Sequence, residues 1–83
     1  MGTQAIVDII VGHAREVLPD LGTRPLGSAD SLRELGANSI DRAEILMLTT
    51  ATLGLRIPLV ELAQPRNLGE LAALLAERGA RVA

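Results

Sequence analysis

The chain of 83 residues contains no cysteine and no Phe, Tyr or Trp. Without cysteine it has no disulfide, no thiolate metal ligand and no cysteine nucleophile. Without aromatic residues its core must consist of Leu, Ile, Val and Ala, which suit packed helices better than a sheet, because aromatic and β-branched residues favour strands. Hydrophobic residues are 48% of the chain, and we expect one domain spanning residues 1–83.

The chain has no excess of positive charge, since its formal net charge is −2. All eight basic residues are Arg. No basic face is available for nucleic acid, so we expect no nucleic-acid partner. The single histidine, His13, is not enough for a multi-histidine metal site, and no metal is expected. No apolar run approaches the ~18 residues of a membrane span, and no secretory signal is present. The start, MGTQAI, has Ile6 where a myristoylation signal needs Ser or Thr. We therefore expect a cytoplasmic protein with no membrane partner.

Apolar spacing and capping residues predict four helical segments. The first is TQAIVDIIVGHAREVL, with Thr3 as its cap and Pro19 as its stop. The second runs from about Ser39 to Leu53, and Asn38 with Asp41 forms a variant of the capping box at its start.

The two remaining segments are bracketed by proline, asparagine and glycine. RIPLVELAQP predicts a short helix with Pro58 at the first helical position. NLGELAALLAERG predicts a last helix that is capped by Asn67, given a second capping box by Glu70 and stopped at Gly79. The fold class is all-α: a small antiparallel bundle of three main helices and one short helix.

A long loop, PDLGTRPLGSADSLRELGA, connects the first two helices. Pro, Gly, Ser and Asp dominate it, as is typical of irregular connections. Leucines recur along the loop, so we expect it to pack against the core, with SADSLREL forming a short helical turn. These leucines are Leu21, Leu26, Leu32 and Leu35.

Ser39 is the one residue of this chain for which three roles are open. The first role is a plain helix cap, which Asn38 makes partly redundant. The second is a catalytic nucleophile, and the third is an attachment point for a group. A nucleophilic serine needs a nearby base, but the only histidine lies in the first helix, and GANSI is not the G-x-S-x-G elbow. A phosphate ester there would meet the unpaired N–H groups of a helix start, partly opposed by Asp41 and Glu44.

The stretch DSLRELGANSIDRAEIL, followed by LRIP and a capped terminal helix, resembles an acyl carrier protein over essentially the whole chain. The resemblance implies that Ser39 carries 4′-phosphopantetheine, whose thiol holds an acyl group as a thioester, and that the protein is not an enzyme. Asn38 stands where the family usually has aspartate, and Ile40 where it usually has leucine. Arg42 and the run at 49–52 replace acidic residues common in fatty-acid carriers, which favours a polyketide carrier.

GANSIDRAE is similar to the discrete donor carriers that work beside hydroxymethylglutaryl-synthase-type (HMG-synthase-type) enzymes in polyketide β-branching. Those carriers deliver a short acyl group, typically acetyl. The resemblance implies a phosphopantetheinyl transferase, a ketosynthase, an acyltransferase and an HMG-synthase-type enzyme as partners. From Met1 and the absence of flanking linkers we expect a free-standing protein, and we also expect a monomer. Peptidyl and fatty-acid carriers are the nearer alternatives, and a cofactor-free helical interaction module is the alternative from a different class.

The second helix is apolar around much of its circumference, so periodicity alone does not separate its two faces. By the family geometry, the bundle receives Ile45, Leu48, Thr49 and Leu53. The predicted partner surface consists of Asn38, Ile40, Asp41, Arg42, Ala43, Glu44 and Met47. Ordinary core packing stays open for Met47, and a plain solvated helix face stays open for Arg42 and Glu44.

Overall fold

The computed structural model describes the backbone of residues 2–82 and the side chains of residues 2–79. Within these residues every regular element is helical, which confirms the predicted fold class. The four α-helices are α1 (Thr3–Val17), α2 (Ser39–Leu53), α3 (Leu59–Leu62) and α4 (Leu68–Val82), and a 3₁₀ helix spans Pro19–Leu21. None of the described helices combines the length and apolar character needed to cross a membrane.

The core lies where α1 packs against both α2 and α4. Its residues are aliphatic apart from Thr49, which is fully buried and donates its hydroxyl to the carbonyl of Ile45 at 2.8 Å. Each fully buried Leu, Ile or Val contributes about 1.5–3 kcal/mol relative to exposure. The helical members of this core are Ile6, Val7, Ile10, Ala14, Ile45, Leu46, Thr49, Leu62, Leu68, Leu71, Ala72 and Leu75.

The start of α1 differs from the prediction, while its end agrees. Thr3 is already helical, and the cap position is held by Gly2 without a side-chain hydrogen bond, so the prediction of Thr3 as the cap is wrong. At the other end, Leu18 has left helical geometry with φ −120° and ψ 77°. The ring of Pro19 disfavours helical geometry in the residue before it, as predicted.

Three predicted details of α3 and α4 are wrong. Pro58 precedes α3 at the cap position and is not its first helical residue. Gly79 does not stop α4, which continues to Val82. A glycine ends a helix where the chain adopts a left-handed conformation, and Gly79 has no positive φ. Asn67 accepts from the Glu70 amide as predicted, but the Glu70 carboxylate accepts from the Arg66 amide instead of completing the capping box.

The long loop is anchored to both α1 and α4. The guanidinium of Arg15 donates to the carbonyls of Gly22 and Arg24 at 2.6 and 2.8 Å. The amides at the start of α4 donate to loop carbonyls: Leu68 to Asp30 and Gly69 to Ser28, each at 2.9 Å. These bonds fix the path of the loop that leads to α2.

Packing of the loop against the core is confirmed by its leucines. Leu21 and Leu32 are buried, and Leu26 and Leu35 are partly buried against the core cluster. The predicted turn also forms, since the Leu35 amide donates to the Ser31 carbonyl at 3.0 Å.

Candidate functional site

The start of α2 is built by the predicted capping box. The side-chain oxygen Oδ1 of Asn38 accepts a 2.8 Å hydrogen bond from the Asp41 amide. In return, Oδ2 of Asp41 accepts a 3.3 Å bond from the Asn38 amide. These two bonds assign the capping role to Asn38, which leaves the neighbouring Ser39 free of it.

Ser39 is the first residue of α2, and its side chain is exposed. Within residues 2–82 its hydroxyl has no hydrogen-bond partner, and the amides of Ser39 and Ile40 have no acceptor. These two N–H groups lie at the positive end of the helix dipole. The arrangement offers an accessible hydroxyl beside two amides that are available to an anion.

The segment that precedes Ser39 is bonded to Arg42, the fourth residue of α2. The guanidinium of Arg42 donates a 2.8 Å hydrogen bond to the carbonyl of Ala37, a buried residue. This bond occupies a side chain that was predicted to face partners, and Arg42 is accordingly half-buried. The bond links Arg42 to the backbone of the segment before Ser39.

A partly open cleft of about 520 Å³ lies beside Ser39, which forms part of its wall. Buried leucines from three helices also contribute to its lining: Leu46 from α2, Leu62 from α3, and Leu68 and Leu71 from α4. Three arginines line it as well: Arg33, Arg42 and Arg66. Sequence reasoning missed the cleft, because residues from the loop and three helices meet there only in the folded chain.

The predicted partner surface divides into exposed and half-buried residues. Asn38, Glu44, Ile40 and Met47 are exposed, the last two at 75% and 63%. The exposure of Met47 excludes core packing for this residue. The half-buried members are Asp41, Arg42 and Ala43.

The predicted inward face of α2 is buried only along part of its length. Ile45 and Thr49 are fully buried, whereas Leu48 and Leu53 are half-buried. Leu46, which the prediction omitted, is buried at 5% exposure. On α3, a second exposed apolar residue pair was also missed: Leu59 and Val60 are 43% and 68% exposed.

His13 lies too far from Ser39 to serve as its base. Its Nε2 is 2.8 Å from the hydroxyl oxygen of Thr52, in the last turn of α2. Ser39 begins the same helix, and thirteen residues at 1.5 Å per residue separate the two positions by about 20 Å. A serine–histidine nucleophile is therefore excluded. Among the described residues, no group of three His, Cys, Asp or Glu side chains is placed to hold a metal ion.

Comparison with known proteins gives three consistent results. The family described as "Phosphopantetheine attachment site" matches residues 8–75. The polyketide biosynthesis acyl-carrier-protein AcpK of Bacillus subtilis (strain 168) is 41% identical over 78 residues, covering 94% of this chain and 95% of AcpK. A crystal structure of the curacin biosynthetic pathway HMG synthase in complex with an acetyl-donor acyl carrier protein provides a solved relative. It matches at a TM-score of 0.87 and 44% identity, over 93% of this chain and 99% of that chain.

Proposed function

The chain belongs to the phosphopantetheine-attachment family, and on that basis we propose that Ser39 is its attachment residue. We also propose that the protein is the acetyl-donor carrier of a polyketide β-branching system. It is an acyl carrier protein of the polyketide type, and its cofactor is covalent 4′-phosphopantetheine. The observation that carries the assignment of Ser39 is an exposed hydroxyl at the first position of α2, without a hydrogen-bond partner in the part of the chain that the structure describes.

The surroundings of Ser39 fit a phosphodiester. The amides of Ser39 and Ile40, which have no acceptor among the described residues, are donors for phosphate oxygens in the field of the helix start. Asn38 takes the capping role without adding a negative charge at this end. The partly open cleft beside the serine has room for a flexible arm.

The polypeptide presents the arm, and the arm supplies the chemistry. Bound phosphopantetheine provides the thiol that the cysteine-free chain lacks, and this thiol holds acyl groups as thioesters. Asn38 and Arg42 fix the geometry of the turn, so Ser39 is held on an ordered helix start. We propose no catalytic residue in the chain itself, so partner enzymes perform the transfer steps.

The donor role is supported by the likeness to an acetyl-donor carrier that was crystallised with an HMG synthase. We propose an HMG-synthase-type enzyme as the recipient, and a phosphopantetheinyl transferase, a ketosynthase and an acyltransferase as further partners. They would dock on the exposed part of the predicted partner surface around Ile40, Glu44 and Met47. A single domain over residues 1–83, the monomeric state and the cytoplasmic location are proposals from the sequence.

The attachment is tested by incubating the protein with coenzyme A and a broad-specificity transferase, then measuring the intact mass. We expect one phosphopantetheine adduct on the unaltered chain and on Ser28→Ala, which removes another exposed serine hydroxyl. Ser39→Ala should gain no mass. An adduct of equal yield on Ser39→Ala would refute the assignment.

The donor role needs a second assay, with the arm loaded from acetyl coenzyme A. We expect acetyl to leave the carrier when an HMG-synthase-type enzyme and a β-ketoacyl acceptor carrier are added. Aminoacyl loading by an adenylation enzyme serves as the comparison, because efficient aminoacyl transfer with no acetyl transfer would instead identify a peptidyl carrier.

A further inference from the structure

The cleft beside Ser39 differs from the rest of the chain in its charge. The protein as a whole has ten acidic and eight basic residues. The cleft lining includes Arg33, Arg42 and Arg66 but no Asp or Glu. An acidic protein therefore places a positive cleft next to the proposed attachment residue.

Two of the three guanidiniums that line the cleft have no partner within the described residues. Arg15 and Arg42 bind backbone carbonyls, and Arg78 binds the carboxylate of Glu61. The exposed side chains of Arg33 and Arg66 make no hydrogen bond or ion pair there. They are available to an anion in the cleft.

The remaining lining is largely apolar. Leu46, Leu62, Leu68 and Leu71 are all at most 5% exposed and contribute to it. The volume of about 520 Å³ falls within the range of roughly 300–1,000 Å³ typical of small-ligand sites. A cleft with apolar walls and cationic groups suits a short apolar chain that ends in a negative charge.

We propose that Arg33 and Arg66 bind the free carboxylate of a short dicarboxylic acyl group, of the malonyl class, when that group is loaded on the arm. This inference rests on the proposed function, because the arm at Ser39 brings the acyl group to the cleft. Guanidinium is suited to the task, since its planar fork pairs with both oxygens of a carboxylate.

The site would make the presentation of the arm depend on its load. A carboxylated acyl group is held against the bundle, whereas an acetyl group has no carboxylate and leaves both guanidiniums unpaired. The phosphodiester is the other anion near the cleft, and it is identical in the two loaded forms. Comparison of malonyl-loaded with acetyl-loaded protein therefore distinguishes the two anions.

The test uses holo protein loaded enzymatically with malonyl or acetyl, and intact mass confirms loading before any other measurement. NMR records the side-chain Nε–H signals of Arg33 and Arg66. We expect both signals to shift in the malonyl form relative to the acetyl form, and the shift to diminish as salt is raised, because exposed ion pairs are screened.

A second readout measures how fast hydroxylamine cleaves each thioester. In the double variant Arg33→Gln, Arg66→Gln, malonyl cleavage should accelerate by roughly 1.5- to 5-fold for each guanidinium lost, with acetyl cleavage unchanged. The matched control is Arg24→Gln, Arg56→Gln, which removes the same charge from two exposed arginines outside the cleft lining. It should change neither rate.

The outcomes separate this inference from the proposed function. Failure of Ser39 to accept the arm would refute the proposed function. Normal loading with identical arginine signals and equal variant effects for malonyl and acetyl would refute the carboxylate site alone. Equal shifts in the acetyl, malonyl and unloaded holo forms would assign the arginines to the phosphodiester and also overturn the site.

Discussion

The guanidinium of Arg42, the fourth residue of α2, donates a 2.8 Å hydrogen bond to the carbonyl oxygen of Ala37 and thereby ties the helix to the loop before Ser39. A polar contact of this kind contributes about 0.5–1.5 kcal/mol net, more when the donor is charged. We expect it to hold in place the segment that contains Asn38 and Ser39.

Arg42→Ala should lower the free energy of unfolding by about 1.5–3 kcal/mol, because its guanidinium is a charged donor, and urea denaturation measures the loss. Arg33→Ala, which removes an exposed side chain without a partner among the described residues, should stay within about 0.5 kcal/mol of the unaltered protein. Equal losses in the two variants would contradict a positioning role for Arg42.

Asn38→Ala and Ser39→Ala separate capping from attachment. Asn38→Ala removes the acceptor for the Asp41 amide and should cost about 0.5–2 kcal/mol of stability. Ser39→Ala should change stability by less than about 0.5 kcal/mol, because its hydroxyl has no partner among residues 2–82. Thermal unfolding followed by circular dichroism measures both, and a larger loss for Ser39→Ala would restore a structural role to the serine.

Gly69→Ala and Gly12→Ala should have opposite effects although both glycines are helical. A Cβ at Gly69 would lie 3.0 Å from the Ser28 Cβ and 3.3 Å from the Ser28 carbonyl oxygen, whereas a Cβ at Gly12 meets nothing within 4 Å. We expect Gly12→Ala to stabilise the protein by about 0.5–1 kcal/mol and Gly69→Ala to destabilise it by displacing the loop. Chemical denaturation of both variants provides the measurement, and stabilisation by Gly69→Ala would show that the loop yields freely.

Met47→Glu and Ile40→Glu should weaken transfer of acetyl to the recipient enzyme. Both side chains are exposed apolar groups on α2, and truncation or charging of an interface anchor typically costs more than 1 kcal/mol, about fivefold or more in kcat/KM. Ala73→Glu adds the same charge on the exposed face of α4 and should leave kcat/KM unchanged. Unaltered transfer by both α2 variants would place the docking site elsewhere.

The helices of this protein were predictable from the sequence because the information for them is local. Asn38 and Asp41 lie three residues apart and cap α2 as predicted, and Pro19 removes Leu18 from α1. Gly79 failed as a stop signal because a glycine is compatible with a helix interior, and only the fold decides whether it adopts a positive φ.

The site was predictable only where it depends on one short segment. Ser39 and the capping residue Asn38 are adjacent in sequence, so their arrangement follows from the helix start. The cleft was not predictable, since it joins Arg33 of the loop with Arg66, which precedes α4. The role of Arg42 was also missed, because no periodicity reveals that a charged side chain turns back to a buried carbonyl.

The start of α4 depends on a remote part of the chain, because its first two amides donate to the carbonyls of Asp30 and Ser28. A helix that is completed by distant acceptors gains its first turn only after the intervening chain has closed, and that closure has an entropic cost. Native-state hydrogen exchange at Leu68 and Gly69 should therefore report the lifting of the loop and not the fraying of a helix end. A proteolytic cut near Ser28 would loosen the beginning of a helix that the protease never contacts.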